Sequence, residues 1–255
     1  MKIGFIGFGN IAKAMVSGLL KSDESLKDNI YASAAHYDKL IENTKIYGIH
    51  AVKSNSELID IADIIFICSK PYQVKDIMQN QKLEGKIIVS FAASLDFDDL
   101  EAIMPHSHHI TSIPNTAISC GKGVHIVDKH HSLDEDELKM VIDLLSKTGY
   151  VKIMDSSLVD IASTIIGCTP AYTAMYMEAL GDAACKHGLR RDDAYPLIAH
   201  MLEGFGAMAY ESNKHPGILK DEVCSPHGST IKGVASLEKD GFRGAVINAI
   251  DEVMK

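Results

Sequence analysis

Over its first 150 residues the chain alternates short apolar, β-branched runs with stretches whose apolar residues recur every three or four positions. The runs KIGFIGF, NIYAS, DIIFICS, KIIVSFAA, HITSIP and GVHIV read as strands, and helices are predicted from about Asn10 to Lys21 and near Asp38 to Tyr47. Strands separated by helices pair in parallel, with the crossovers covering the sheet faces. This half therefore predicts an α/β fold: a Rossmann-type, doubly wound parallel sheet.

From about Ser156 the period changes to long helical stretches. Thr169 and Pro170 are predicted to open a helix as N-cap and first-turn proline, and Gly188 to close it. The run from Ala171 to Cys185 carries Ala, Met, Tyr and Leu on nearly every face, so burying one face cannot account for it. A helix that apolar wants partners on both sides, which predicts a dimer built through this half. The domain expectation is residues 1–155 for the sheet and 156–255 for an all-helical domain. No internal repeat, low-complexity tract or long linker interrupts the pattern.

Composition narrows the function classes. Thirty-four acidic against 25 basic residues give a net charge of -9 with no basic stripe, which argues against a nucleic-acid surface. No apolar run reaches the roughly 18 residues of a membrane span, and Met1 leads straight into a strand with no signal or transit pattern, so a cytoplasmic protein is expected. The five cysteines form no C-x-x-C pair and fit reduced thiols used in packing. Histidines cluster at His106-Ser107-His108-His109 and at His130-His131, but without the cysteines or carboxylates of a zinc site, so no metal is expected. Asp134 to Glu137 reads as a solvated helix start.

The first strand ends in Ile6-Gly7-Phe8-Gly9-Asn10-Ile11-Ala12, the G-x-G-x-x-A fingerprint at the start of a helix. Gly7 permits a tight turn, Gly9 lets the backbone approach a pyrophosphate, and Ala12 allows close helix packing, while the helix N-terminus offers N–H groups to the anion. Taken alone, the same pattern could be a glycine-rich turn without a ligand; its position after a strand selects dinucleotide binding. The second strand, Ile30 to Ser33, leads into Ala34, Ala35 and His36 with no acid before Asp38. An acid there would bind a free ribose 2′-hydroxyl, so its absence favours NADP(H) over NAD(H). Ser33 is the expected 2′-phosphate ligand; His36 and Lys39 either add charge to it or are plain surface residues.

Further segments, read with this turn, resemble pyrroline-5-carboxylate reductase over essentially the whole chain. Cys68-Ser69-Lys70-Pro71 is similar to the family's A-V-K-P loop, Ser112 to Thr116 to its M-P-N-T-P segment, and Gly167 to Tyr172 to its G-S-G-P-A-Y helix start. Most specific are Ser225-Pro226-His227-Gly228-Ser229-Thr230, against S-P-G-G-T-T, and Leu237 to Arg243, against L-E-x-x-G-F-R. The resemblance implies NADPH-dependent reduction of 1-pyrroline-5-carboxylate to L-proline by a homodimer or a larger ring of dimers. It places Ser69, Lys70 and Pro71 around the nicotinamide ribose, Asn55, Ala92 and Ala93 along the cofactor path, Asn115 near the nicotinamide, and Thr169 among the substrate contacts. Asn115 in Pro-Asn-Thr could equally be a turn former.

A cyclic imine bearing a carboxylate needs an anion grip and a group managing a proton at nitrogen; the hydride belongs to the cofactor. Ser225, Gly228 and Ser229, just before an amphipathic helix, are the candidates for the carboxylate, using N–H groups and hydroxyls rather than an arginine. Thr230 is the candidate for the imine nitrogen, orienting or relaying a proton rather than supplying it, although a serine or threonine there also serves as a simple helix cap. His227 stands where the family has a glycine, which puts the substrate in question more than the cofactor. A related cyclic imino acid, or a non-catalytic NADP-binding regulatory paralogue, are the alternatives. A β-hydroxy-acid dehydrogenase would need a catalytic lysine on the first helix of the second domain, and Asp160 to Met177 contains none.

Overall fold

The computed structural model describes residues 1–105 and 107–255, which form two compact units, Met1–Gly167 and Cys168–Lys255. In the first, eight strands among the described residues make one sheet: β1 (Ile3–Ile6), β2 (Ile30–Ser33), β3 (His50–Ala51), β4 (Ile64–Ile67), β5 (Ile87–Ser90), β6 (His108–Pro114), β7 (Gly123–Asp128) and β8 (Gly149–Met154). Their order is β3-β2-β1-β4-β5-β6-β7-β8. Pairing is parallel throughout except between β6 and β7, where Ile113 faces Ile126 in an antiparallel ladder. The helices of this unit are α1 (Asn10–Ser22), α2 (Tyr37–Tyr47), α3 (Asn55–Ile61), α4 (Pro71–Met78), α5 (Phe97–Ile103) and α6 (Glu135–Ser146).

The central strands read as unbroken apolar runs because both of their faces are covered. Ile3, Phe5, Ile64 and Phe66 fall on one side with Ile30 and Ala32, whereas Ile6, Ile65, Ile67 and Ile88 fall on the other. Side chains alternate across a strand, so one four-residue segment feeds two cores. Phe66 stacks on Phe5 with ring centroids 5.1 Å apart and meets Phe91 at 5.1 Å. The two strands absent from the sequence reading are the weakest in pattern: β3 has two residues, and edge strand β8 is largely solvent-facing. The acidic helix start behaves as read, with Asp134 Oδ1 accepting from Glu137 N at 2.8 Å and Glu137 Oε2 from Asp134 N at 3.0 Å.

One expectation is overturned. Thr169-Pro170 does not open a helix: α7 runs without a break from Ser156 to Lys186 with Pro170 inside it. A proline cannot donate to the carbonyl four residues back, here that of Ile166. Asn115 Nδ2 donates to that carbonyl instead, at 3.3 Å, so the acceptor is satisfied and the helix continues. Gly188 does follow the helix end, at φ +92°, its N–H donating to Cys185 O. By length and composition α7 could cross a bilayer, with a mean hydropathy of 1.2 over its best window, a point that a search for uninterrupted apolar runs misses.

The second unit holds the rest of α7 with α8 (Arg191–Ser212), α9 (Pro216–Glu222), α10 (Ser229–Lys239) and α11 (Phe242–Val253). Among its apolar side chains only Ala194 and Leu219 are buried, whereas Leu197, Met201, Phe205 and Met208 leave an exposed stripe along α8.

Candidate functional site

A cavity of about 1100 Å³ opens at the C-terminal ends of β1, β4 and β5. It lies where the strand order reverses between β1 and β4, the switch point at which open α/β sheets bind ligands. Gly7 turns the chain out of β1 at φ +87°, its N–H donating to Ser33 O at 2.9 Å. A Cβ there would stand 3.0 Å from the Cys68 carbonyl carbon, so both conformation and space require glycine. Gly9 is the N-cap of α1 and offers no side-chain acceptor to the first-turn N–H groups; a Cβ on it would meet nothing within 4 Å. Ser69 Oγ, in the wall of the same cavity, is buried with no partner among the described residues. Free helix donors, an open backbone and an orphaned hydroxyl fit a bound dinucleotide phosphate.

Most of the expected cofactor residues come together here. Ile6, Gly7, Gly9, Asn10 and Ile11 line it from the turn after β1, Asn55 from the start of α3, Ser69, Lys70 and Pro71 from the segment after β4, and Ala92 and Ala93 from the segment after β5. Lys70 leads into α4 with Pro71 at its first position, and Gln73 Oε1 accepts from Lys70 N at 3.3 Å. Three expected residues lie off the surface of this cavity. Phe8 is buried and packs edge-on against Tyr47 at 5.9 Å, because the residue between the two glycines points into the core. Ser33 is 1% exposed, its hydroxyl 2.7 Å from Asn55 Oδ1, so it holds Asn55 rather than facing the cavity. Asn115 Oδ1 accepts from Val124 N, and its Nδ2 is the donor that replaces the missing one of Pro170. His36, the N-cap of α2, and Lys39 also lie outside the lining. Sequence reading missed Lys53, Gln73, Asp76 and Phe91, all of which line it.

In the helical unit four of the expected substrate residues, Ser225, Gly228, Ser229 and Thr230, lie in or just after one turn, and Thr169 lies apart from it in α7. Gly228 N donates to Ser225 O at 3.0 Å, with Pro226 and His227 between them and His227 at φ +62°. Proline second and a left-handed residue third is the type II pattern, which explains why a glycine suits position 227 and why histidine there is strained. A Cβ on Gly228 would come 2.5 Å from Ser225 Oγ and 3.0 Å from Ser225 O, so a side chain here would displace the serine hydroxyl and crowd the turn. Gly228 is also the N-cap of α10 and leaves the N–H groups of Ser229 and Thr230 without a side-chain cap. Ser225, Ser229 and Thr230 are exposed, and Thr169 is half-buried within α7. The Leu237 to Arg243 segment is a helix junction: Gly241 is left-handed and Arg243 Nε donates to Glu238 Oε1 at 2.6 Å.

Desolvation pushes the Cys68 thiol well above its ordinary value, so in the cavity wall it stays a neutral packing group. Behind Phe91, burial pulls His125 down to about 4 while its Nε2 lies 2.8 Å from Thr148 Oγ1. His109 is lowered too, by desolvation, against the opposing charge of Glu101. Of the histidine cluster, His106 lies outside the described residues; among those described, no three His, Cys, Asp or Glu side chains gather into a metal site.

Comparison with known proteins bears on both units. The family description "Pyrroline-5-carboxylate reductase dimerisation" fits residues 156–255, and "NADP oxidoreductase coenzyme F420-dependent" fits residues 2–94. A pyrroline-5-carboxylate reductase of Treponema pallidum (strain Nichols) is 39% identical over 98% of this chain and 97% of its own length. That of Escherichia coli (strain K12) is 34% identical over 100% of this chain and 96% of its own. The crystal structure of Plasmodium falciparum pyrroline carboxylate reductase with NADP bound superposes with a TM-score of 0.88 at 29% identity, covering 99% of this chain and 95% of that one.

Proposed function

The chain belongs to the pyrroline-5-carboxylate reductase family, and from that premise we propose how its residues divide the work. It is an NAD(P)-dependent oxidoreductase that reduces the cyclic imine 1-pyrroline-5-carboxylate to L-proline. The observation that carries this reading is the glycine-turn cavity on β1 occurring in the same chain as a C-terminal region, residues 156–255, that matches the reductase dimerisation description.

The nicotinamide cofactor supplies hydride to the imine carbon; the chain's residues bind, orient and handle the proton. Gly7, Gly9 and the first N–H groups of α1 hold the pyrophosphate, with Ile6, Asn10 and Ile11 beside them. Ser69, Lys70 and Pro71 hold the nicotinamide ribose, and Ala92 and Ala93 floor the path. Ser33 acts through Asn55, and Asn115 through the carbonyl of Ile166. The absence of an acid after β2 supports NADP(H) over NAD(H). In the helical unit the turn closed at Gly228 leaves the N–H groups of Ser229 and Thr230 free, and these, with the Ser225 hydroxyl, grip the substrate carboxylate. Thr230 orients or relays the proton that reaches the imine nitrogen, and Thr169 contributes to the substrate contacts.

The domain boundary is taken at 155/156, where the dimerisation description begins. Exposed apolar side chains on α8 and α11 support a homodimer, and a ring of such dimers is compatible with it. The same pairing gives the apolar surface of α7 a protein partner rather than a membrane, and the net charge of -9 supports the reading of a cytoplasmic enzyme without nucleic-acid partners. The test is loss of reduced-nicotinamide absorbance when 1-pyrroline-5-carboxylate is added, with proline as product. Tight NADP+ binding without turnover would overturn the enzyme reading and favour a regulatory role.

A further inference from the structure

The cofactor cavity carries a cation that neither the fingerprint nor the family motifs mark. Resting on the NADP(H) reading above, we infer that Lys53 is the residue that reads the ribose 2′-phosphate and so sets cofactor preference. The sheet register places it: Ala32 of β2 faces Ala51 of β3, and Val52 N donates to Ala32 O at 2.9 Å. One residue further on, Lys53 stands beside Ser33 and Ala34, at the end of β2. In a dinucleotide fold that is where an acid would bind the free 2′-hydroxyl or a cation the 2′-phosphate. Ala34 and Ala35, just after β2, and Lys53 and Asn55, just after the neighbouring β3, all line the cavity.

The backbone around Lys53 is fixed while its ammonium is not. Lys53 N donates to Glu57 Oε2 at 3.0 Å, and Ser54 caps α3 by accepting from Glu57 N at 3.1 Å. Glu57, the nearest acid in sequence, is thereby turned to the main chain. No salt bridge among the described residues engages the Lys53 ammonium, and the residue is exposed while lining the cavity. The other charged lining residues, Lys70 and Asp76, belong to the segment after β4, on the far side of β1 in the sheet. Lys53 is therefore the cation on the adenosine side, the part that the sequence reading offered to His36 and Lys39.

Calorimetric titration of the full chain with NADP+ and with NAD+ tests this without relying on turnover. Wild type is expected to prefer NADP+, and Lys53→Ala to weaken NADP+ about tenfold, in line with loss of one exposed charge-assisted contact, while NAD+ affinity moves less than about twofold. Lys53→Arg should retain the preference. Added salt should erode NADP+ binding in wild type more than in Lys53→Ala, since screening acts on the charge pair. An unchanged NADP+/NAD+ ratio in Lys53→Ala overturns the inference, and a collapsed ratio in a His36→Ala/Lys39→Ala variant would move the role to α2. Equal binding of the two nucleotides by wild type would overturn the NADP(H) preference itself. NADP+ selectivity without imine reduction would instead defeat the enzyme reading and leave the role of Lys53 standing.

Discussion

The two compact units solve the burial problem in opposite ways. In the sheet unit Ile3, Phe5, Ile64 and Phe66 are wholly buried, and every buried polar or charged side chain among the described residues lies there. In the helical unit two apolar side chains are buried, while Met175, Leu197 and Tyr210 are 69%, 63% and 75% exposed. The first carries its own core; the second leaves most of its apolar side chains exposed, as the proposed homodimer requires. The difference matters for function because a nucleotide cavity needs a rigid frame, whereas the turn before α10 sits among helices whose apolar side chains are largely exposed.

Charging the α8 stripe should break the comparison most. Met201→Glu with Phe205→Glu would bury unpaired carboxylates in any helix-helix interface, at a cost of several kcal/mol. Sedimentation should then show a monomer that still binds NADP+; a dimer that survives would mean the stripe is not the interface. The matching lesion in the sheet unit is Phe66→Ala, which empties a stacked ring site and should cost about 3–5 kcal/mol in denaturant unfolding without changing the oligomer.

Acid should act on the sheet unit first. The buried His125 imidazole has its pKa lowered from 6.5 to about 4, so the unfolded chain takes up the proton more readily than the folded one. Stability should fall as pH drops below about 6.5 and level off below about 4, a total of ~3 kcal/mol. His109 pulls in the same direction. Urea midpoints across that range, compared with those of His125→Asn, would show whether the slope belongs to this residue.

The sheet was legible because strands covered on both faces are continuous apolar runs, and the cofactor turn because G-x-G-x-x-A is local in sequence. What escaped was set by pairing across distance. β3 has two residues and no period, so nothing local shows that it brings Lys53 alongside the end of β2. The Thr169-Pro170 signal misled for a related reason: a proline usually breaks a helix, and the donor that keeps this one whole comes from Asn115, more than fifty residues earlier. Phe8 lies within the fingerprint and Ser33 ends the second strand, yet packing turns one to the core and binds the other to Asn55. In the substrate turn His227 was visible as a departure, and the structure adds its left-handed backbone.

The smallest change is the most direct test, because it separates the work of the two units. Thr230→Ala alters one exposed hydroxyl on α10, far in sequence from every residue of the nucleotide cavity. Turnover of 1-pyrroline-5-carboxylate should fall at least about tenfold, or ~1.4 kcal/mol, while the NADP+ dissociation constant stays within about twofold of wild type. An unchanged rate, or a loss of NADP+ affinity that accounts for the slower rate, would contradict the division of labour described above.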